Sequence, residues 1–126
     1  MTNLLTKLKE IFGKIEDVEF AYLFGSSARG DEFPLSDIDI AVYMRSQNVR
    51  LDDELRLHSI LSRGLKSNKV DLVILNRARN IILLEEIIRH GRVVCDNNSS
   101  LRESFELNVL HDAIDFKRQR KVFAGV

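Results

Sequence analysis

The sequence predicts an α+β domain, with a small mixed β-sheet flanked by helices and a long helix at the C-terminal end. Three observations carry this expectation. Short apolar runs of strand length are interleaved with stretches whose apolar residues recur at helical spacing, so strands and helices mix along the chain. The last quarter of the chain has that helical spacing over a much longer stretch than any other. The total of 126 residues suits one hydrophobic core. Residues 1–126 are therefore read as a single domain, with a core over 1–96 and a terminal helix over 100–122.

Each element has its own signal. Leu4, Leu5, Leu8, Ile11 and Phe12 share one helical face, and Gly13 is a stop. Phe20–Phe24 is a short continuous apolar run, the mark of a buried strand. Ile38–Met44 is a second strand. A helix is expected over 52–66, where Asp52, Asp53 and Glu54 suit the positive N-terminal end and Leu57, Leu61 and Leu65 share a face. Val70–Leu75 is a third strand, rich in β-branched residues. Asn80–His90 is a short helix with Ile81, Leu84, Ile87 and Ile88 inward and Gly91 as its C-terminal stop. Arg92–Cys95 is a fourth strand. The final helix begins at Ser100, where Ser100-Leu101-Arg102-Glu103 has a capping-box pattern. It carries two stripes: Leu101, Phe105, Val109, Ala113 and Phe116, with Leu107, Leu110 and Ile114 beside them.

Composition excludes several classes. With 44% hydrophobic and 30% charged residues the chain is no disordered polar segment. No apolar run reaches the ~20 residues of a membrane helix, and the charged start is no signal peptide. Lys+Arg and Asp+Glu both total 19, so the cation surplus that non-specific nucleic-acid binding needs is missing. Cys95 stands alone, which rules out an internal disulfide and a thiolate metal cluster and fits a cytoplasmic location.

The one irregular stretch of unusual length runs from Gly25 to Asp37, and such segments in compact domains are usually functional. Asp37 and Asp39 are two apart on a strand, so both point to one face. Acids within an apolar strand are costly unless paired or bound to a cation. Two carboxylates together favour a hard divalent ion, Mg²⁺ or Mn²⁺, over Zn²⁺. Asp71, between Val70 and Leu72, is a third acid in the same setting. Three converging acids suit two metals of the kind used in phosphoryl displacement. Gly25-Ser26 directly follows a strand, where a glycine admits a close ligand and free N–H groups with a hydroxyl bind phosphate. A shared site requires the end of the first strand to lie beside the start of the second, hence an antiparallel pair and a mixed sheet. A lone DxD is weak, and most are solvated. The combination of Gly-Ser, ten residues and DxD arises by chance on the order of once in a thousand such chains.

Gly25-Ser26-Ser27-Ala28-Arg29-Gly30, followed by Ser36-Asp37-Ile38-Asp39-Ile40-Ala41-Val42, resembles the signature of minimal nucleotidyltransferase (MNT) domains of the DNA polymerase β-like superfamily. The resemblance covers roughly residues 1–96, with Asp71 at the place of the third carboxylate. It implies the nucleotidyltransferase fold, ATP as substrate and Mg²⁺ (two ions, with Mn²⁺ as a substitute) as cofactor. It also implies that Asp37, Asp39 and Asp71 are the catalytic and metal-binding residues and that Gly25 and Ser26 hold the β/γ-phosphates. Arg29 has two readings, phosphate neutralisation or an ion pair with Asp31 or another acid. Ser36 caps a turn or hydrogen-bonds near Asp37. MNT proteins are similar to antitoxins paired with HEPN-domain RNase toxins, some of which are silenced by transfer of AMP to a tyrosine. The expected partner is thus a HEPN toxin in a homo- or hetero-oligomer, with no membrane and no direct nucleic-acid contact. Other readings are an aminoglycoside-type or RNA nucleotidyltransferase, and an antitoxin that binds without catalysis.

The remaining candidates have plain structural readings. His58 suits a partly packed helix face, His90 a helix C-terminus, and His111 has no ligand partner at metal spacing. Cys95 reads as a small hydrophobe. Lys117-Arg118-Gln119-Arg120-Lys121 is either a favourable helix end or a docking patch for an acidic surface or RNA. The stripe of Leu107, Leu110 and Ile114 is either a partner surface or part of a well-buried helix.

Overall fold

The computed structural model describes residues 4–25 and 37–124, with side chains to 119. The elements run α1 (Leu4–Phe12), β1 (Val18–Phe24), β2 (Ile38–Met44), α2 (Leu51–Leu65), β3 (Val70–Ile74), α3 (Ile81–His90), β4 (Arg92–Asp96) and α4 (Ser99–Ala124). All eight match the sequence expectation in type and order, with ends shifted by one or two residues. The strands form one sheet in the order β3-β2-β1-β4. β1 is antiparallel to β2 and β4, whereas β2 and β3 are parallel, joined through α2. The expected mixed sheet is what forms.

The two-residue period of the strands divides the core between the sheet's faces. On one face Leu8 and Phe12 of α1 and Leu57 and Leu61 of α2 cover Val18, Ala21, Leu23, Ile40 and Val42. On the other, Leu84 and Ile87 of α3 and Val109 of α4 cover Phe20, Tyr22, Phe24 and Ala41. Phe20 stacks on Tyr43 with centroids 4.9 Å apart and tilts against Phe105 at 5.5 Å. The first stripe of α4 is therefore core. Leu107 and Ile114 of the second stripe are 58% and 50% exposed, so the helix is not buried all round.

The helix ends refine the sequence reading. The cap of α4 is Asn98, whose Oδ1 accepts from the Leu101 N–H at 3.1 Å. Ser100 is displaced from that role because the helix starts earlier, at Ser99, whose hydroxyl turns back to Asp96 at 3.0 Å. Asp53 accepts from the Arg50 N–H at 3.0 Å at the start of α2. Gly91 ends α3 with an ordinary φ of −74°. Its missing Cβ matters because an added one would collide with the Ile87 carbonyl oxygen, not because the backbone turns left-handed. Among the described residues no helix is long and apolar enough to cross a membrane.

Candidate active site

The candidate site lies where β1 ends and β2 and β3 begin. Phe24, the last residue of β1, is the register partner of Asp39 on β2. Asp39 is in turn the register partner of Asp71 on β3. Asp37 stands just before β2, two residues from Asp39 and so at the same face. A chain reversal and a crossover thus bring together residues distant in sequence. Asp37 and Asp71 are exposed, while Asp39 is half-buried.

Gly25 is the close neighbour of this group. Its φ of +75° lies in the left-handed region that L side chains rarely adopt. A Cβ there would collide with Asp39 Oδ2. Only glycine lets the chain leave β1 with the Asp39 carboxylate packed against its backbone. Ser26, Arg29 and Ser36 lie outside the described residues.

The electrostatics are those of a crowded acid cluster. Burial, then the nearby Asp71 and Asp37 charges, push the Asp39 carboxyl above its ordinary range. A cation would relieve the last two effects. The donors are all carboxylate oxygens, which fits Mg²⁺ or Mn²⁺. The acids are neighbours rather than a closed cage: among the described residues no three His, Cys, Asp or Glu side chains converge tightly enough to hold an ion unaided.

The other residues singled out in the sequence take structural roles. His58 donates from Nε2 to the Val70 carbonyl at 2.9 Å, tying α2 to β3. His90 is exposed on α3, 4.0 Å from Glu86. Cys95 is half-buried, and burial with the neighbouring Asp96 pushes its thiol up, away from nucleophilic use. Lys117 of the basic run is held by Glu85 at 2.9 Å, which joins α4 to α3.

A second charged cluster went unnoticed in the sequence. Arg102 donates to Asp96 at 2.9 Å and to Glu106 at 3.1 Å, and Glu106 accepts from the buried Tyr22 hydroxyl at 2.6 Å. The helical spacing of Arg102 and Glu106 is a visible signal for their pairing. Nothing local shows that Tyr22 lies beneath them.

Residues 6–100 match the family described as Polymerase beta, Nucleotidyltransferase. The chain belongs to that nucleotidyltransferase family, and the match ends as α4 begins. Solved structures share the fold over nearly the whole chain, α4 included. One is a toxin–antitoxin with AMP-PNP, at 24% identity, covering 97% of this chain and 96% of that one, with a TM-score of 0.77. Another is a mutant of the toxin–antitoxin MntA-HpeT, at 25% identity, 99% and 97% coverage and a TM-score of 0.74. A third is the tri-AMPylated Shewanella oneidensis HEPN toxin in complex with MNT antitoxin, at 22% identity, 97% coverage of both chains and a TM-score of 0.71. No curated protein matches the chain in sequence.

Proposed function

We propose that this chain is an ATP- and Mg²⁺-dependent nucleotidyltransferase that acts as a cytoplasmic antitoxin, transferring AMP to a tyrosine of a HEPN toxin. The observation that carries this reading is Asp39, in register with Asp71 and packed against Gly25, in a chain of the nucleotidyltransferase family. Support for the partner comes from the shared fold with toxin–antitoxin structures, one containing AMP-PNP and one an AMPylated HEPN toxin.

Each residue has a task in this scheme. The glycine at 25 keeps the end of β1 open to a triphosphate, and Ser26, with Arg29 and Ser36, is assigned to its phosphate oxygens. Asp37 and Asp39 would hold Mg²⁺, with Asp71 completing the set. Bound Mg²⁺ supplies positive charge where negative charge grows on the reacting phosphate and the departing oxygen. Asp71, exposed on the edge strand, meets the acceptor and takes the proton from its hydroxyl. The acceptor oxygen forms a bond to the α-phosphorus of ATP as the bond to the bridging oxygen breaks, and pyrophosphate leaves. The exposed Leu107 and Ile114 of α4 supply a contact surface for the toxin.

The test is co-expression with the HEPN toxin, followed by intact mass of that toxin. The expected result is the mass of AMP on the toxin with the parent chain, and none with Asp37→Asn/Asp39→Asn. Protection of cells by both forms with no added mass would make the protein a contact antitoxin instead.

A further inference from the structure

An open groove of about 690 Å³ lies at the C-terminal end of α2. Arg63, Lys66 and Lys69 line it together with Ser62, Ser67 and Asn68, and no acid does. In a chain with zero net charge, this is a local concentration of positive charge beside hydrogen-bonding groups. Neither Arg63 nor Lys66 forms a salt bridge among the described residues.

Lys66 is the unusual member. It ends α2 with φ 54° and ψ 44°, in the left-handed region, and is the only non-glycine among the described residues with a positive φ. Its N–H and that of Ser67 close the helix onto Arg63 and Ser62. Glycine is the usual residue at such a helix end, because a Cβ is strained there. Glycine at this position would relieve that strain. Strain of this kind, held in place by surrounding structure, marks functional positions.

The groove is also placed beside the acids. The Lys69 carbonyl accepts from the Ile38 N–H at 2.8 Å, at the point where β2 and β3 start. Lys69 is two residues before Asp71, and β3 is an edge strand with no strand on its outer side among the described residues. An extended polypeptide along that edge would reach both Asp71 and Lys69, which are two residues apart. The ring that lines the groove, His58, is tied to the Val70 carbonyl, and three cations are few for a nucleic-acid track, which favours an acidic polypeptide over RNA.

We propose that the groove formed by Arg63, Lys66 and Lys69 is a docking site for acidic residues that flank the acceptor tyrosine of the protein substrate. The proposal rests on the reading of the chain as a protein nucleotidyltransferase, and it adds where the acceptor is gripped and what sequence around the tyrosine is preferred. The groove sets acceptor affinity, and the three acids with ATP set the rate of transfer.

Two measurements test it. The first is anisotropy titration of a labelled peptide with a central tyrosine flanked by glutamates, against the same peptide flanked by alanines, and needs no transfer. The glutamate peptide should bind the parent more tightly, by about tenfold at low salt, and lose the advantage at high salt. Lys66→Gly, which also relieves the backbone, combined with Arg63→Gln should abolish the preference while melting no earlier than Arg63→Gln alone. The second is AMP transfer to the whole acceptor protein, where the double variant should raise the acceptor KM and leave kcat and the ATP KM as in the parent. Absence of transfer by the parent would sink the enzymatic reading, yet the peptide titration would still judge the groove. Equal binding of both peptides, or an undiminished preference in the variant, overturns the proposal. So does single-stranded RNA or inorganic phosphate displacing the glutamate peptide at lower concentration than free glutamate-rich peptide does.

Discussion

Two groups of carboxylates sit on this sheet, and they are built in opposite ways. Asp96 and Glu106 share Arg102, and Glu106 also accepts from Tyr22. Nearby, the Asn98 amide and the Arg45 guanidinium hold Glu19 below the ordinary carboxylate range. Every acid there has a donor, and the result ties α4 and β4 to β1. At the other end of the sheet Asp37, Asp39 and Asp71 face one another, and Asp39 is pushed up instead of down. A protein selected for stability alone would not place three acids so, because like charges at close range oppose folding. The donor-paired cluster is mortar, and the crowded one is the candidate site.

That contrast is sharpened most by removing charge from each cluster. Asp37→Asn with Asp39→Asn should lower the AMP-transfer rate by on the order of 10³-fold or more, about 4 kcal/mol of barrier, while the protein folds and binds its partner. Single-turnover transfer and pull-down on the same samples read the two effects. Arg102→Met should do the reverse. It leaves Asp96 and Glu106 without their shared donor and should cost about 2 kcal/mol of stability in urea melts, with transfer retained below the melting range.

Gly25→Ala touches both quantities at once. The left-handed backbone and the collision with Asp39 should cost about 1–2 kcal/mol of stability and lower transfer as well. Differential scanning calorimetry and the transfer assay check it. Gly91→Ala, also crowded but against the Ile87 carbonyl rather than an acid, should lower stability with a smaller effect on transfer. On α4, Leu107→Glu with Ile114→Glu should weaken partner binding without loss of fold, because both side chains are exposed. Unchanged affinity in calorimetric titration would place the contact surface elsewhere.

The smallest expected effect is a pH slope. The Asp39 carboxyl is raised in the folded state, so between its ordinary value of 3.8 and the raised one the folded chain binds more protons than the unfolded. Stability without metal or nucleotide is therefore lost as pH rises through that window. Glu19 is lowered from 4.5, and its contribution is present above that value and lost as pH falls through the lowered one. Melts of parent and Asp39→Asn across the acid range should diverge as pH rises past 3.8, with the variant the more stable.

Much of this was legible in the sequence because its signals are local. The strands at 38–44 and 70–74 are continuous apolar runs, and the acids inside them stand out as violations of the pattern. The antiparallel pairing of β1 and β2 followed from requiring Gly25 and Asp39 to meet. The roles of Glu106 and Lys66 were not legible. Glu106 looks like any surface acid until the fold sets it over Tyr22, and the strain at Lys66 exists only in its backbone angles. The Ser100 cap was misplaced because Asn98 competes for the same N–H groups, and both residue types cap well.

The order of elements along the chain has a consequence for how the protein is made. All three acids are synthesised before α4, and the parallel pairing of Asp39 with Asp71 needs only the α2 crossover, which packs through Leu57 and Leu61. Without α4, Phe20 and Tyr22 lack the cover that Val109 and Phe105 provide. A nascent chain arrested ahead of α4 therefore carries all three acids but exposes aromatic surface. The helix that completes the core also carries Leu107 and Ile114 on its outer side, so the finished fold and the exposed stripe arrive in the same step of translation.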